Sequence, residues 1–234
     1  MADIQKIIPF TYKWEGGLTD NPKDSASKTP APWPYTNPAN KRTSSKWHTN
    51  KGITYATFST NAKTLGYQNT AANFFTMPAD IWLKIAKNKY WDILKLDTVT
   101  SQAVANIMFS WIWGSGYAWR PRMQRYLLTK GISWNINDFT ALAASLNILI
   151  KKDEKKTFEE LLDQKKQYLE SLADFKVFGP GWINRLNDLR TQSVSYIKAV
   201  ATSSVGLTLF FLAAAAGTAY YFKDDIKKLI NKKK

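Results

Sequence analysis

Residues 4–17 read Ile4-Gln5-Lys6-Ile7-Ile8-Pro9-Phe10-Thr11-Tyr12-Lys13-Trp14-Glu15-Gly16-Gly17. Ile4, Ile7, Ile8 and Tyr12 recur at helical spacing, which predicts an amphipathic first helix running to about Trp14. The Gly16-Gly17 pair is expected to end it, as C-terminal glycines do. The acidic group of this stretch, Glu15, therefore falls at a helix end, beside a tryptophan and before a sharp turn. A general acid for glycoside cleavage must keep its proton near neutral pH, which calls for partial burial against apolar or aromatic surface with one side open to substrate. Glu15 is a candidate for both conditions, although on local features alone a solvated glutamate at a helix end is the more ordinary reading.

Outward from this helix, Thr19 to Gly52 reads as a long loop. Asn21-Pro22, Thr29-Pro30-Ala31-Pro32-Trp33-Pro34 and Asn37-Pro38 are turn formers without periodicity, and a loop of this length in a compact domain is usually functional or mobile. A short hairpin inside it is compatible with the sequence. Helical spacing then predicts helices at about Thr54–Leu65, Pro78–Lys95, Ser101–Trp113, Trp119–Lys130, Asn137–Ile150, Glu154–Asp174, and from Pro180 onward. No window alternates with period two, so the fold class is mainly α.

Composition narrows the chemistry. The 234 residues hold no cysteine and one histidine, His48, which excludes thiolate nucleophiles and cysteine-held metals and argues against a histidine zinc site or a Ser-His-Asp triad. An enzyme of this composition must use carboxylates, and no cofactor or metal is called for. The net charge of +15 draws the surface toward polyanions such as nucleic acid, acidic lipid or cell-wall polymer without choosing among them. No P-loop or Gly-x-Ser-x-Gly motif is present, and no nucleic-acid reading motif supports that partner.

Several motifs in order resemble the glycoside hydrolase family 108 lysozymes, the N-acetylmuramidases of bacteria and phages. Glu15-Gly16-Gly17, Asp20-Asn21-Pro22-Lys23-Asp24 and Thr49-Asn50-Lys51-Gly52-Ile53-Thr54 are similar to that family's first signatures. Lys89-Tyr90-Trp91, Ser101 to Asn106 and Phe109-Ser110-Trp111-Ile112-Trp113-Gly114-Ser115-Gly116 are similar to its core. Phe178-Gly179-Pro180-Gly181-Trp182-Ile183-Asn184-Arg185 resembles the motif that closes its peptidoglycan-binding half. The likeness covers about residues 4 to 190. Two departures stand out: about twenty extra residues follow Asp24, which alters the active-site loop, and Ser110 stands where the family tends to carry aspartate.

The resemblance implies a lysozyme-like helical domain in which Glu15 protonates the glycosidic oxygen between N-acetylmuramic acid and N-acetylglucosamine. Asp24 is the candidate second carboxylate and Asp20 a weaker one. A turn-forming aspartate is an equal reading of Asp24 and the better reading of Asp20. Thr54 is the candidate for positioning water or substrate in a one-glutamate mechanism. Trp14, Thr49, Tyr90 and Trp111 are candidate substrate contacts, though most of the tryptophan-rich cluster around Trp111 and Trp113 is expected to be packing. Trp182 is expected in the core and His48 on the surface.

Near the C-terminus, Ala199 to Phe222 carries no charge, and as a helix at ~1.5 Å per residue it spans roughly 36 Å, enough for a ~30 Å hydrocarbon core. Tyr220 and Tyr221 suit a membrane interface, and the tail from Lys223 to Lys234 holds six lysines against two aspartates. The positive-inside tendency puts that tail on the cytoplasmic or interior side, yet the N-terminus shows no secretory leader. Export by an unusual route, or the membrane of a phage particle, reconciles the two.

The expected organisation is a catalytic domain over 1–125, a helical peptidoglycan-binding-like half over 126–197, a transmembrane helix over 199–222 and a basic tail over 223–234. The expected function is a single-pass, membrane-anchored muramidase for phage entry or host lysis, facing the periplasm from the host inner membrane or carried in a virion membrane. Its partners are peptidoglycan glycan strands, the bilayer and viral capsid or membrane proteins, with no nucleic acid. The alternatives are a lytic transglycosylase acting on the same bond and an inactive wall-binding or virion structural protein. The sequence does not indicate an oligomeric state.

Overall fold

The computed structural model describes residues 1–197. Within them the chain forms a short 3-10 turn, Ile4–Lys6, capped by Asp3, and then α1 (Ile8–Trp14) with Pro9 in its first turn, where a missing N–H costs nothing. Helices α2 (Tyr55–Leu65), α3 (Ala71–Thr76), α4 (Ala79–Ala86), α5 (Gln102–Ser115), α6 (Arg120–Thr129), α7 (Phe139–Lys152), α8 (Glu154–Glu170) and α9 (Phe175–Val194) follow. Thr54, Thr70, Ser101, Asp138 and Asp153 each accept a backbone N–H at the start of α2, α3, α5, α7 and α8, so hydroxyls and carboxylates set most helix starts.

α5 is the central post. Every residue from Gln102 to Ile112 is buried, including a polar stripe of Gln102, Asn106 and Ser110 that is hydrogen-bonded to Asp3, Ser193 and Lys165. α8 and α9 pack against it and against each other, and α9 also reaches α1. One continuous core joins Ile7, Phe10 and Trp82 to Phe158, Leu186 and Leu189, with no break at residue 125.

The structure departs from the predicted elements in three places. The segment before α4 holds a short helix, α3, which buries Phe74 and Phe75 and was too brief to show helical periodicity. The helix predicted over Pro78–Lys95 is α4 continued as a π turn, Lys87–Trp91, before the chain bends at Lys95 in the left-handed region. α9 begins at Phe175 and carries Pro180 inside it. The proline removes one backbone donor near the helix start, where the Lys176 residue it would have served is exposed to water. Phe175 folds its ring over Gly179, so closely that a Cβ there would stand 2.8 Å from the ring.

The stretch from Thr19 to Gly52 is an ordered arm. It contains one minimal antiparallel hairpin, β1 (Tyr35–Thr36) with β2 (Thr43–Ser44), and ends in the first strand and turn of a second, β3 (Thr49–Asn50) with β4 (Ile53–Thr54). Trp47 is wholly buried and its indole N–H donates to the Tyr35 carbonyl at 2.8 Å. The Tyr35 ring stacks on Phe75 at 4.0 Å, so α3 is the floor on which the arm rests.

The expected membrane segment, 199–222, and the basic tail, 223–234, lie outside the described residues. Among the described residues no helix is long and apolar enough to cross a membrane.

Candidate active site

Glu15 caps the C-terminus of α1 in an extended conformation (φ −87°, ψ 121°), its own N–H still bonded to the Thr11 carbonyl at 2.9 Å. The chain thus leaves the helix at the glutamate itself. Neither Gly16 nor Gly17 has a positive φ and neither is crowded, so the expected glycine cap is not what stops this helix. The glycine the site requires is Gly52. In the two-residue turn between β3 and β4 both Lys51 (φ 46°) and Gly52 (φ 76°) are left-handed, the geometry that matches hairpin twist. A Cβ on Gly52 would overlap the Glu15 carboxylate and stand 2.7 Å from its Cδ.

The Glu15 side chain is 12% exposed. Its Oε1 accepts the indole N–H of Trp113, from the end of α5, at 2.8 Å. The Arg185 guanidinium of α9 lies 2.6 Å from the same oxygen as an ion pair, although that nitrogen, Nη2, is not aligned as a hydrogen-bond donor. Aromatic rings back this arrangement: Trp113 packs on Tyr90 at 4.7 Å and on Trp82 at 5.1 Å, and Trp82 packs on Tyr12 at 4.6 Å. Burial pushes the Tyr90 hydroxyl's pKa above its ordinary value and the nearby Glu15 charge adds to this, while a hydrogen bond with Thr57 partly opposes it.

Behind Arg185 lies Lys165 of α8, a buried lysine whose Nζ donates to the Ser110 hydroxyl at 2.7 Å. Loss of solvent pushes its pKa well below the usual lysine range, the Arg185 charge pushes it further, and Glu15 counters only in part. Trp14 faces α9 as well, donating its indole N–H to Asp188 at 2.6 Å, with Lys13 at 2.9 Å from the same oxygen. Burial alone would raise the Asp188 pKa, and the bonds from Trp14 and Lys13 more than reverse this, holding it below the usual carboxylate range.

The other sequence candidates serve the scaffold. The Asp24 side chain accepts the Ala26 N–H and caps a 3-10 turn, Ser25–Lys28. Asp20 is paired with Arg42, and the Arg42 guanidinium lies 4.8 Å from the Trp47 ring centre, so the pair ties the arm to its own base. Burial would raise the Asp20 pKa, but hydrogen bonds from Ser44 and Arg42 lower it on balance. Thr54 spends its hydroxyl on Thr57 at the start of α2. Thr49 bonds the ring of His48 at 3.0 Å.

Three expectations need correcting. Trp111 is fully buried between Trp119 and Tyr168, so its faces are closed to a sugar. His48 is also fully buried rather than on the surface, with one ring nitrogen on the Thr49 hydroxyl and the other on the Asn21 carbonyl, pinning the arm's two ends together. Trp182 is only partly buried, under Phe175 and Phe178.

Sequence reasoning quoted Trp113, Gly52 and Arg185 within motifs but did not bring them to Glu15. The signal was their recurrence in the same ordered set of motifs. A separate depression of about 360 Å³, lined by Ile93, Lys95, Asn135, Asn137, Asp138, Phe139 and Thr140, holds none of the groups around Glu15. Among the described residues no cluster of three or more acidic or histidine side chains is placed to hold a metal ion.

Comparison with known proteins fits this geometry. Residues 8–116 match the family model described as Glycosyl hydrolase 108, so the chain carries such a domain and is a glycoside hydrolase acting on peptidoglycan. The matched segment includes Glu15, Gly52, Tyr90 and Trp113 and stops short of Lys165, Arg185 and Asp188. The solved structure of Brucella abortus SagA is similar, with a TM-score of 0.58 at 22% identity, covering 84% of this chain and 96% of that one. At that identity the likeness is one of fold, and its coverage extends past residue 116 into the later helices. No curated protein matches the chain.

Proposed function

We propose that the glycosyl hydrolase 108 domain of this chain is a muramidase with Glu15 as its general acid, cutting glycan strands between N-acetylmuramic acid and N-acetylglucosamine. One observation carries this reading: a nearly buried carboxyl gripped by Trp113 and Arg185 and facing a glycine where no side chain fits. Glu15 gives its proton to the glycosidic oxygen, the bond from that oxygen to the anomeric carbon breaks, and positive charge spreads over the ring carbon and ring oxygen. Water then adds to the anomeric carbon and its proton is returned to the carboxylate.

Because Asp20 and Asp24 are engaged by Arg42 and by the Ala26 N–H, the geometry favours a one-carboxylate route. This supports a second reading, a lytic transglycosylase, in which the sugar's own 6-hydroxyl attacks the anomeric carbon and leaves an anhydro-muramic end. Product mass separates the two, since the anhydro product lacks one water.

On the same reading, residues 126–197 add wall-binding surface to the catalytic part over 1–125, and the uncharged run 199–222 anchors the enzyme in a membrane. A phage particle or the host inner membrane is the proposed setting. Flotation of the full chain with liposomes tests the anchor: it should float, and a chain ending at residue 197 should not.

A further inference from the structure

Arg185 lies beyond the segment that matches the family, yet it touches the carboxyl on which the proposed chemistry turns. We propose that Arg185 is a positioning residue for Glu15, and that α9 is thereby part of the catalytic unit. This rests on the reading of Glu15 as the general acid.

The seating of α9 and the groups around Arg185 limit where the guanidinium can go. Asp188, one turn along α9, is bonded to both Lys13 and Trp14 next to Glu15, and Gln192 supports the same oxygen at 3.3 Å. Leu186 and Leu189 are buried, so this stretch of α9 is seated in the core and cannot roll freely. The Arg185 guanidinium lies 5.7 Å from the Phe10 ring centre, a flat support for a planar group. The buried amine of Lys165 donates to the neutral Ser110 hydroxyl and lies close enough to feel the charges of both Arg185 and Glu15.

That arrangement has a chemical use. As Glu15 gives up its proton, a carboxylate forms at a site with little water. A fixed cation beside it is worth more in that transition state than before proton transfer, so its effect belongs in kcat rather than in substrate binding. Arg185 and Trp113 also share Oε1, which fixes the carboxyl plane and leaves Oε2 on the Gly52 side. α9 ends at Val194, so the chain that follows leaves from the same helix that holds this group.

The test uses the full-length chain on purified peptidoglycan, with kcat and KM measured for the parent, Arg185→Ala, Arg185→Lys and Glu15→Gln. Loss of the guanidinium should lower kcat by about 100-fold with KM changed less than threefold, the scale of a misplaced catalytic group. Arg185→Lys should lose about 10-fold, because an ammonium keeps the charge without the planar fork. Added guanidinium chloride at millimolar concentration should restore activity to Arg185→Ala but not to Glu15→Gln. Unchanged kcat in both Arg185 variants, with Glu15→Gln inactive, overturns this inference and leaves the proposed function standing. Loss of activity in Arg185→Ala without guanidinium rescue, together with full activity in Arg185→Lys, also overturns it in favour of a role for positive charge alone. Full activity in Glu15→Gln overturns the proposed function itself.

Discussion

Glu15 and Asp24 sit nine residues apart, both just outside a short helical turn, and the fold uses them in opposite ways. Glu15 is held from three directions by helices: Trp113 from α5, Arg185 from α9, and its own backbone at the end of α1. Asp24 is exposed and bonds a backbone N–H two residues ahead. A carboxyl that must present one oxygen to a substrate needs partners that cannot move, and helices seated in a common core provide them. A carboxyl that only turns the chain needs its own neighbours and nothing else. The comparison teaches that position near a motif is weak information about role, whereas convergence of distant elements on one group is strong.

The largest expected effect would break the comparison if it failed. Glu15→Gln should reduce peptidoglycan cleavage by about a thousandfold, while Asp24→Asn and Asp20→Asn stay within a few-fold of the parent, as measured by muropeptide release. Equal losses in Glu15→Gln and Asp24→Asn would make the arm part of the chemistry. Gly52→Ala comes next, since it adds a methyl group where the carboxylate lies and a side chain at φ 76°. It should lower kcat by roughly 100-fold in a protein whose circular dichroism is unchanged. Trp113→Phe keeps an aromatic ring among Tyr90, Trp82 and Phe109 and removes the N–H that Glu15 accepts, together with part of the indole's contact area. A loss of about 10-fold is expected, in the range of one hydrogen bond to a charged group.

Stability offers two smaller contrasts. Lys165 has its pKa lowered by burial, so between that lowered value and 10.5 the unfolded chain binds more protons than the folded one. Stability therefore rises with pH across this window, and Lys165→Met should flatten the rise and raise the melting temperature at neutral pH. Asp20 is the opposite case. Its folded pKa is held below 3.8, so its contribution is present above that value and disappears as the pH falls through the lowered one. Because Arg42 is half exposed, Asp20→Asn should cost under about 1 kcal/mol in chemical denaturation at pH 7, and the cost should shrink as the pH falls below 3.8.

Much of the helical scaffold was legible. The spacing of Ile4, Ile7, Ile8 and Tyr12, the hydroxyl and carboxylate caps and the apolar run through α5 mark local preferences that the core reinforces. The ends of helices were less legible. α1 stops because Glu15 turns to an extended conformation under tertiary contacts, not because the glycine pair demands it. α9 accepts Pro180 because the carbonyl left without a donor is exposed. The proline-rich arm hides its order, since Trp33, Tyr35 and Trp47 show no periodicity: Trp33 and Tyr35 find ring partners on α2 and α3, and Trp47 bonds the Tyr35 carbonyl within the arm.

At the candidate site, Glu15 was singled out by the likeness of Glu15-Gly16-Gly17 to a family signature, since its helix-end position beside an aromatic residue reads more ordinarily as a solvated glutamate. Its partners were not, because Gly52, Trp113 and Arg185 come from three other segments and meet only when α5 and α9 pack. Trp111 illustrates the converse. One turn positions Trp113 at the carboxyl, while two residues earlier the opposite side of the helix carries Trp111 into the core.

The most direct measurement is the mass of muropeptides released from purified peptidoglycan by the full-length chain and by its Glu15→Gln variant under identical conditions. The account predicts fragments ending in reducing N-acetylmuramic acid from the parent and none from the variant. The same fragments at the same rate from both proteins would contradict it.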